Sequence, residues 1–226
     1  MPLPKPYYDR DGITIYHGDC KDILPELPKV DIVLTDPPYL LNMGGGGGGV
    51  FGDRASRKNT KGFTDGGFDV SVLSQYSDWF CFCSKNNLCD VISAAGDKWN
   101  ILQWCKPNPV PTCNNTYLSD VEYCIHTWSK GRLFGDMKDK SKYFVHPCGN
   151  KVTEHPNEKP VQLIYKLVTL GSQDNETILD PFMGSGTTLV AAKQLKRKAI
   201  GIELEEKYCE IAVNRLAQSV LPLGGE

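Results

Sequence analysis

Two Asp-Pro turns, far apart along the chain, concentrate the residues able to do chemistry. Thr35-Asp36-Pro37-Pro38-Tyr39 follows the apolar run Asp31-Ile-Val-Leu, and Asp180-Pro-Phe182-Met-Gly184-Ser185-Gly186-Thr187-Thr188 follows Thr177-Ile-Leu179. Each run is compact and β-rich, so each turn sets a carboxylate at the C-terminal end of a buried strand. In open α/β sheets ligands bind beyond those ends, where the strand order reverses. One acid there is common; two, each fixed by a following proline, read as a built site. Gly184-Ser185-Gly186 lies between a strand and a helix start, where glycine lets the backbone approach a ligand and the helix offers unpaired N–H groups. A phosphate grip is disfavoured. The dinucleotide fingerprint wants a third glycine where Leu189 stands, and a P-loop wants lysine where Thr187 stands. Glu203 ends the next apolar run, about where nucleotide folds keep a ribose-binding acid. The set suits a nucleoside ligand whose tail is not a phosphate.

The elements that must position these residues are legible as periodic segments. Ile13–Tyr16, residues 31–35, Trp79–Cys83, Ile101–Cys105, Val121–Trp128, Thr177–Leu179 and Ala199–Ile202 read as strands. Leu88–Ile92 begins a helix ending at Gly96. Pro160 opens another, with Val161, Ile164, Leu167 and Val168 on one face and Gly171 at its end. Thr187–Leu195 makes a third helix. Tyr208, Ile211, Ala212 and Leu216 mark a fourth, with Glu205 and Glu206 at its positive end. The alternation predicts an α/β, doubly wound, mostly parallel sheet in a single domain spanning residues 1–226.

Two segments interrupt that pattern. Residues 42–68 hold the run Gly44–Gly49, then Arg54, Arg57, Lys58 and Lys61; so many glycines carry a large ordering entropy and predict a mobile loop. Residues 129–153 lack periodicity and carry Lys130, Arg132, Lys138, Lys140, Lys142 and Lys151. Both are basic enough locally to meet phosphates. Lys193, Lys196, Arg197 and Lys198 are read instead as covering a helix end. The whole chain of 226 residues has 25 basic and 27 acidic side chains, a net charge of −2, with 40% hydrophobic and 23% charged residues. That excludes a disordered polar chain. No apolar run is long enough for a membrane span, and the segment Met1-Pro-Leu-Pro-Lys-Pro6 lacks the apolar stretch expected of a signal peptide. The nine cysteines are irregularly spaced without a CxxC pair. A reduced, cytoplasmic protein without a metal site is expected.

The ordered set of motifs resembles the amino-methyltransferases that act on DNA with S-adenosylmethionine. Asp36-Pro37-Pro38-Tyr39 is similar to their catalytic motif, the segment from Asp180 to Thr188 to their cofactor motif, and Glu203 to the acid on the cofactor ribose. His155-Pro-Asn-Glu-Lys159-Pro160, Gly18-Asp19, Asn108-Pro-Val-Pro111 and Glu122-Tyr123 are further matching segments. The catalytic motif precedes the cofactor motif, which resembles the β-class order. The resemblance implies a Rossmann-like methyltransferase fold. It implies a cofactor pocket formed by Asp180, Phe182, Gly184, Ser185, Gly186, Thr187, Glu203 and Asp19, with Lys159 at the methionine end. Asp19 and Lys159 also have plainer readings, as a loop holder and a helix cap. Residues 129–153 are the only room for a target-recognition insertion, which is short for the family.

The implied chemistry sets its own demands. An exocyclic amine of a base is a poor nucleophile because its lone pair is delocalised into the ring, while the sulfonium methyl is already activated. The enzyme has to align the two and stabilise positive charge growing on nitrogen. The Asp36 carboxylate and the Pro37 carbonyl are suited to accept the two N–H groups, Pro37 and Pro38 fix the turn, and Tyr39 stacks on a base flipped from duplex DNA. Asp rather than Ser before Pro-Pro-Tyr favours adenine N6, by resemblance. N4-cytosine methylation uses the same geometry, and RNA or a non-catalytic binding subunit are more distant alternatives. A homodimer would account for more of the DNA footprint than one small recognition segment does. Pro147-Cys148 is not read as a nucleophile.

Overall fold

In the strand that carries the first acid, Ile32 and Leu34 point into one buried cluster and Val33 into another. Such a strand is covered on both faces, which is why it reads as an unbroken apolar run. The computed structural model describes residues 2–38, 69–109, 117–129, 133–148 and 159–218. Tyr39, the glycine-rich segment 42–68, Lys130, Arg132, Lys151 and His155 lie outside them.

In chain order the elements are β1 (Tyr8–Arg10), β2 (Ile13–His17), α1 (Cys20–Ile23), β3 (Ile32–Thr35), β4 (Trp79–Cys83), α2 (Leu88–Ala94), β5 (Trp99–Cys105), β6 (Val121–Thr127) and β7 (Tyr143–Val145). They continue with α3 (Val161–Gly171), β8 (Thr177–Asp180), α4 (Thr187–Gln194), β9 (Lys198–Glu203) and α5 (Glu206–Ala217). The strands form one sheet in the order β1-β2-β9-β8-β3-β4-β6-β5-β7. Only β1 and β6 run against the rest. The mostly parallel, doubly wound sheet expected from the alternation is present. β7 is an addition: it lies inside 129–153, the segment without periodicity, and pairs with β5 as the sheet's outer strand.

Helices cover both faces. On one side, residues of α3, α4 and α5 (Leu163, Leu167, Leu189, Ala212) meet Ile32, Leu34, Phe80 and Phe82. On the other, Ile23, Val72, Leu73 and Val91 meet Val33, Trp79, Cys81 and Leu179. β4 therefore splits cleanly, its two phenylalanines on one face and Trp79 with both cysteines on the other, so Cys81 and Cys83 serve as small core residues. Two close approaches need glycine. A Cβ on Gly171 would stand 2.6 Å from Ile32 Cδ1 and from Phe80 Cε2, so α3 sits directly on the sheet there. A Cβ on Gly201 would stand 2.5 Å from Met183 Sδ, which lets the loop after β8 lie flat across β9.

Candidate active site

β3 and β8 are neighbours, with Ile32 beside Ile178 and Val33 beside Leu179. From β3 the sheet continues through β4 in one direction, and from β8 through β9 in the other. The gap beyond their C-terminal ends is thus the place where strand order reverses, and both Asp-Pro turns open onto it. Asp180 is buried. Its Oδ1 accepts from the Thr35 hydroxyl at 2.9 Å and from the Phe182 N–H at 3.2 Å, and its Oδ2 from the Thr188 hydroxyl at 2.6 Å. Burial pushes its pKa up to about 7 against those three hydrogen bonds, and the nearby charge of Asp36 adds to the rise.

Asp36 is partly exposed and faces a lysine. Lys159 Nζ donates to Asp36 Oδ2 at 2.5 Å and lies 3.1 Å from Glu122 Oε2. The Lys159 ammonium also sits 5.1 Å from the Phe82 ring centroid. Glu122, in turn, is paired through Oε1 with Lys106, whose ammonium lies 4.8 Å from the Trp104 ring centroid. Burial works against both central charges, but their partners outweigh it. Lys159 is held above its usual range by Asp36 and Glu122, and Glu122 below its own by Lys159 and Lys106. Asp36 and Lys106 follow the C-terminal ends of β3 and β5, Glu122 lies near the N-terminal end of the reversed strand β6 at the same edge, and Lys159 comes from the segment just before α3.

The loop after β8 is shaped by backbone. Gly184 and Gly186 take φ of 50° and 79°, the left-handed region that favours glycine. Gly186 is also a packing glycine, since a Cβ there would stand 2.7 Å from Ala212 Cβ. Ser185 and Thr187 are held by α5: Arg215 Nη1 donates to the Ser185 carbonyl at 2.8 Å, to Ser185 Oγ at 2.9 Å and to Thr187 Oγ1 at 3.1 Å. Glu203 is buried at the end of β9. Its Oε2 accepts from the Gly184 N–H at 3.0 Å and its Oε1 from the Glu205 N–H at 2.8 Å. Burial raises its pKa against those bonds. Asp19 caps α1, accepting from the Lys21 N–H at 2.9 Å, the loop-holding role. Phe182 is partly buried against the cluster that contains Leu179 and Ile202.

The sequence matches the N6/N4 DNA methylase family over residues 30–214, from the approach to β3 into α5. The chain belongs to that family. The methylase is 28% identical over 250 residues to the type II methyltransferase M2.LlaDCHI of Lactococcus lactis subsp. cremoris, with 95% of this chain and 93% of that protein covered. The crystal structure of the M1.HpyAVI-SAM complex superposes with a TM-score of 0.65 at 27% identity, covering 90% of this chain and 99% of that one. The fold is shared with the cytosine-N4-specific PvuII DNA methyltransferase, at a TM-score of 0.70 and 16% identity.

The methylase is an S-adenosylmethionine-dependent enzyme that methylates DNA, and its crevice suits that cofactor. Asp36, Asp180 and Glu203 give this edge of the sheet three acids, a donor set whose chemistry fits a cationic sulfonium and a ribose diol. Among the described residues, the buried Lys159 there is already matched by two carboxylates. When bound, S-adenosylmethionine supplies a methyl group activated on sulfur. Among the described residues, no cluster of three or more His, Cys, Asp or Glu side chains is arranged to hold a metal. No described helix is long and apolar enough to cross a membrane.

The structure brings Asp36, Asp180 and Lys159 to one crevice, with Glu203 at the β9 end of the same edge; Tyr39 is outside the described residues. Lys159 stands against the Asp36 carboxylate. Lys106, Thr35 and Arg215 had no assigned role in the motif reading. An acid inside an otherwise apolar strand, Val121-Glu122-Tyr-Cys-Ile, was the one local sign that a cation lies opposite. Cys148 is tied by its backbone to the Asn108 side chain at 2.7 and 3.2 Å. Cys83, beneath the crevice, is pushed up to about 12 by burial and by Asp36, so it stays a protonated core thiol.

Proposed function

We propose that the methylase transfers its methyl group to N6 of adenine in duplex DNA, with the target base flipped out of the helix. The observation that carries this reading is the placement of the Asp36 turn at the β3/β8 reversal, in electrostatic contact with the buried Asp180 of the cofactor loop. Asp36 and the Pro37 carbonyl accept the two N–H groups of the amine. This turns its lone pair toward the sulfonium and stabilises the positive charge that grows on nitrogen. Pro37 and Pro38 hold the turn, and Tyr39 stacks on the base. Glu203 takes the ribose hydroxyls, Asp180 and Phe182 line the pocket, and the loop from Gly184 to Thr187 lies along the cofactor, with Asp19 on its rim.

Adenine is favoured over cytosine by Asp, rather than Ser, before Pro-Pro-Tyr. The type II naming of M2.LlaDCHI supports a role beside a restriction enzyme. We place residues 42–68 and the basic part of 129–153 on the DNA backbone, a second copy of the chain on the rest of the footprint, and the enzyme in the cytoplasm. The last point is supported by the free thiols of all described cysteines. The test is transfer of a tritiated methyl group to duplex DNA followed by nucleoside analysis. N6-methyladenine is expected; N4-methylcytosine as the sole product overturns the base assignment. Preferential labelling of structured RNA in competition overturns the substrate class.

A further inference from the structure

We propose that Glu122 and Lys106 are positioning residues that set the charge of the catalytic crevice by dividing Lys159 between two acids. The inference rests on the reading of Asp36 as the acceptor of the target amine. Asp36 can stabilise positive charge on nitrogen only while its own negative charge is felt there. Yet a buried ammonium lies 2.5 Å from its Oδ2. Alone, that lysine would cancel the carboxylate and repel both the sulfonium and the forming aminium. The geometry answers with a second acid: Glu122 Oε2 stands 3.1 Å from the same ammonium. Lys106 holds the other oxygen of Glu122 and lies against Trp104, so Glu122 cannot swing away. Two acids and two ammoniums alternate from Asp36 to Lys106, a group of zero net charge that ends in an acid, Asp36, on the substrate side and in the Lys106 ammonium at its other end. Lys159 then fixes the Asp36 rotamer without neutralising it.

The experiment compares S-adenosylmethionine, which carries the sulfonium charge, with S-adenosylhomocysteine, a neutral thioether of otherwise similar shape. Calorimetric affinities of both are measured for the full chain, alongside kcat and the KM for DNA. In Glu122→Gln the preference for the charged ligand is expected to fall roughly tenfold and kcat roughly 10- to 100-fold, with KM for DNA within about twofold. Glu122→Asp recovers part of both. Lys106→Met leaves an acid in excess, so the preference is expected to rise by roughly two- to fivefold. This second variant decides the matter if Glu122→Gln does not fold. An unchanged preference in the folded variants overturns the proposal, as does equal weakening of both ligands, the mark of a merely structural role. Unmutated enzyme that makes no methylated base would overturn the functional reading instead, and is scored separately.

Discussion

The Thr35 hydroxyl donates to Asp180 Oδ1 across 2.9 Å, joining the last residue of β3 to the last residue of β8 at the floor of the crevice. The buried Asp180 has its pKa pushed up to about 7, above the usual 3.8. A carboxyl raised on folding contributes stability that is complete below about pH 4 and is lost as pH rises through about 7. Asp180→Asn, which keeps the shape, is expected to remove that component. Thermal melts between about pH 5 and 8 should show a smaller alkaline loss in the variant than in the parent, and parallel curves would contradict the assignment.

Asp36→Ala removes the proposed acceptor of the amine while leaving the cofactor loop intact. Loss of one such charge-stabilising group is expected to cost at least about a hundredfold in kcat. Binding of S-adenosylmethionine should stay within about tenfold by calorimetry. Turnover near the parent rate would remove Asp36 from the mechanism.

Glu203 has both oxygens occupied by backbone N–H groups, at 3.0 and 2.8 Å. Glu203→Gln turns one acceptor into a donor facing a donor. A loss of about 1–3 kcal/mol is expected, shared between cofactor affinity and order in the loop. Calorimetry would read it as a weakening of at least about fivefold for S-adenosylmethionine and S-adenosylhomocysteine alike, since the ribose is common to both. A selective loss of only the charged ligand would argue against a ribose role.

His126 lies buried on β6, stacked on Phe80 at 3.9 Å, and among the described residues its Nε2 has no hydrogen-bond partner. Burial pushes its pKa down to about 4, with Asp78 opposing. The unfolded chain takes up this proton below about pH 6.5, whereas the folded one resists it to about pH 4. Stability is therefore full above that window and lost as pH falls through it. His126→Leu should flatten the acid limb of the melting curve, and an unchanged limb would assign acid unfolding to other groups.

Gly186→Ala asks a side chain to adopt a φ of 79° and to stand 2.7 Å from Ala212 Cβ. Strain of about 1–3 kcal/mol and a comparable overpacking cost are expected. A melting temperature within about 2 °C of the parent would contradict the packing role of this glycine.

How much was legible follows from what each feature depends on. The central strands were readable because β3, β4, β8 and β9 are buried apolar runs, and the meeting of the two acids because β3 and β8 end in the turns themselves. β1 and β7 were not: each has three residues, mostly exposed, with no period to detect. α1 is a single turn capped by Asp19, too short for an apolar stripe. The Lys106, Glu122 and Lys159 grouping arises only because β6 runs backward between β4 and β5, and nothing in local sequence specifies that order. Ser185 and Thr187 read as cofactor residues from their motif, while their hydroxyls hold Arg215, a partner 28 and 30 positions away.

The pairing of β3 with β8 has a consequence for biosynthesis. Thr35 and Asp180 are 145 positions apart. A growing chain therefore carries the strand of the catalytic turn with one ladder edge bare until most of the polypeptide has left the ribosome. Closing that gap late is slow, and an open apolar edge invites pairing with other nascent chains. Synthesis rate and chaperone supply, more than the stability of the finished enzyme, then govern how much active protein a cell obtains.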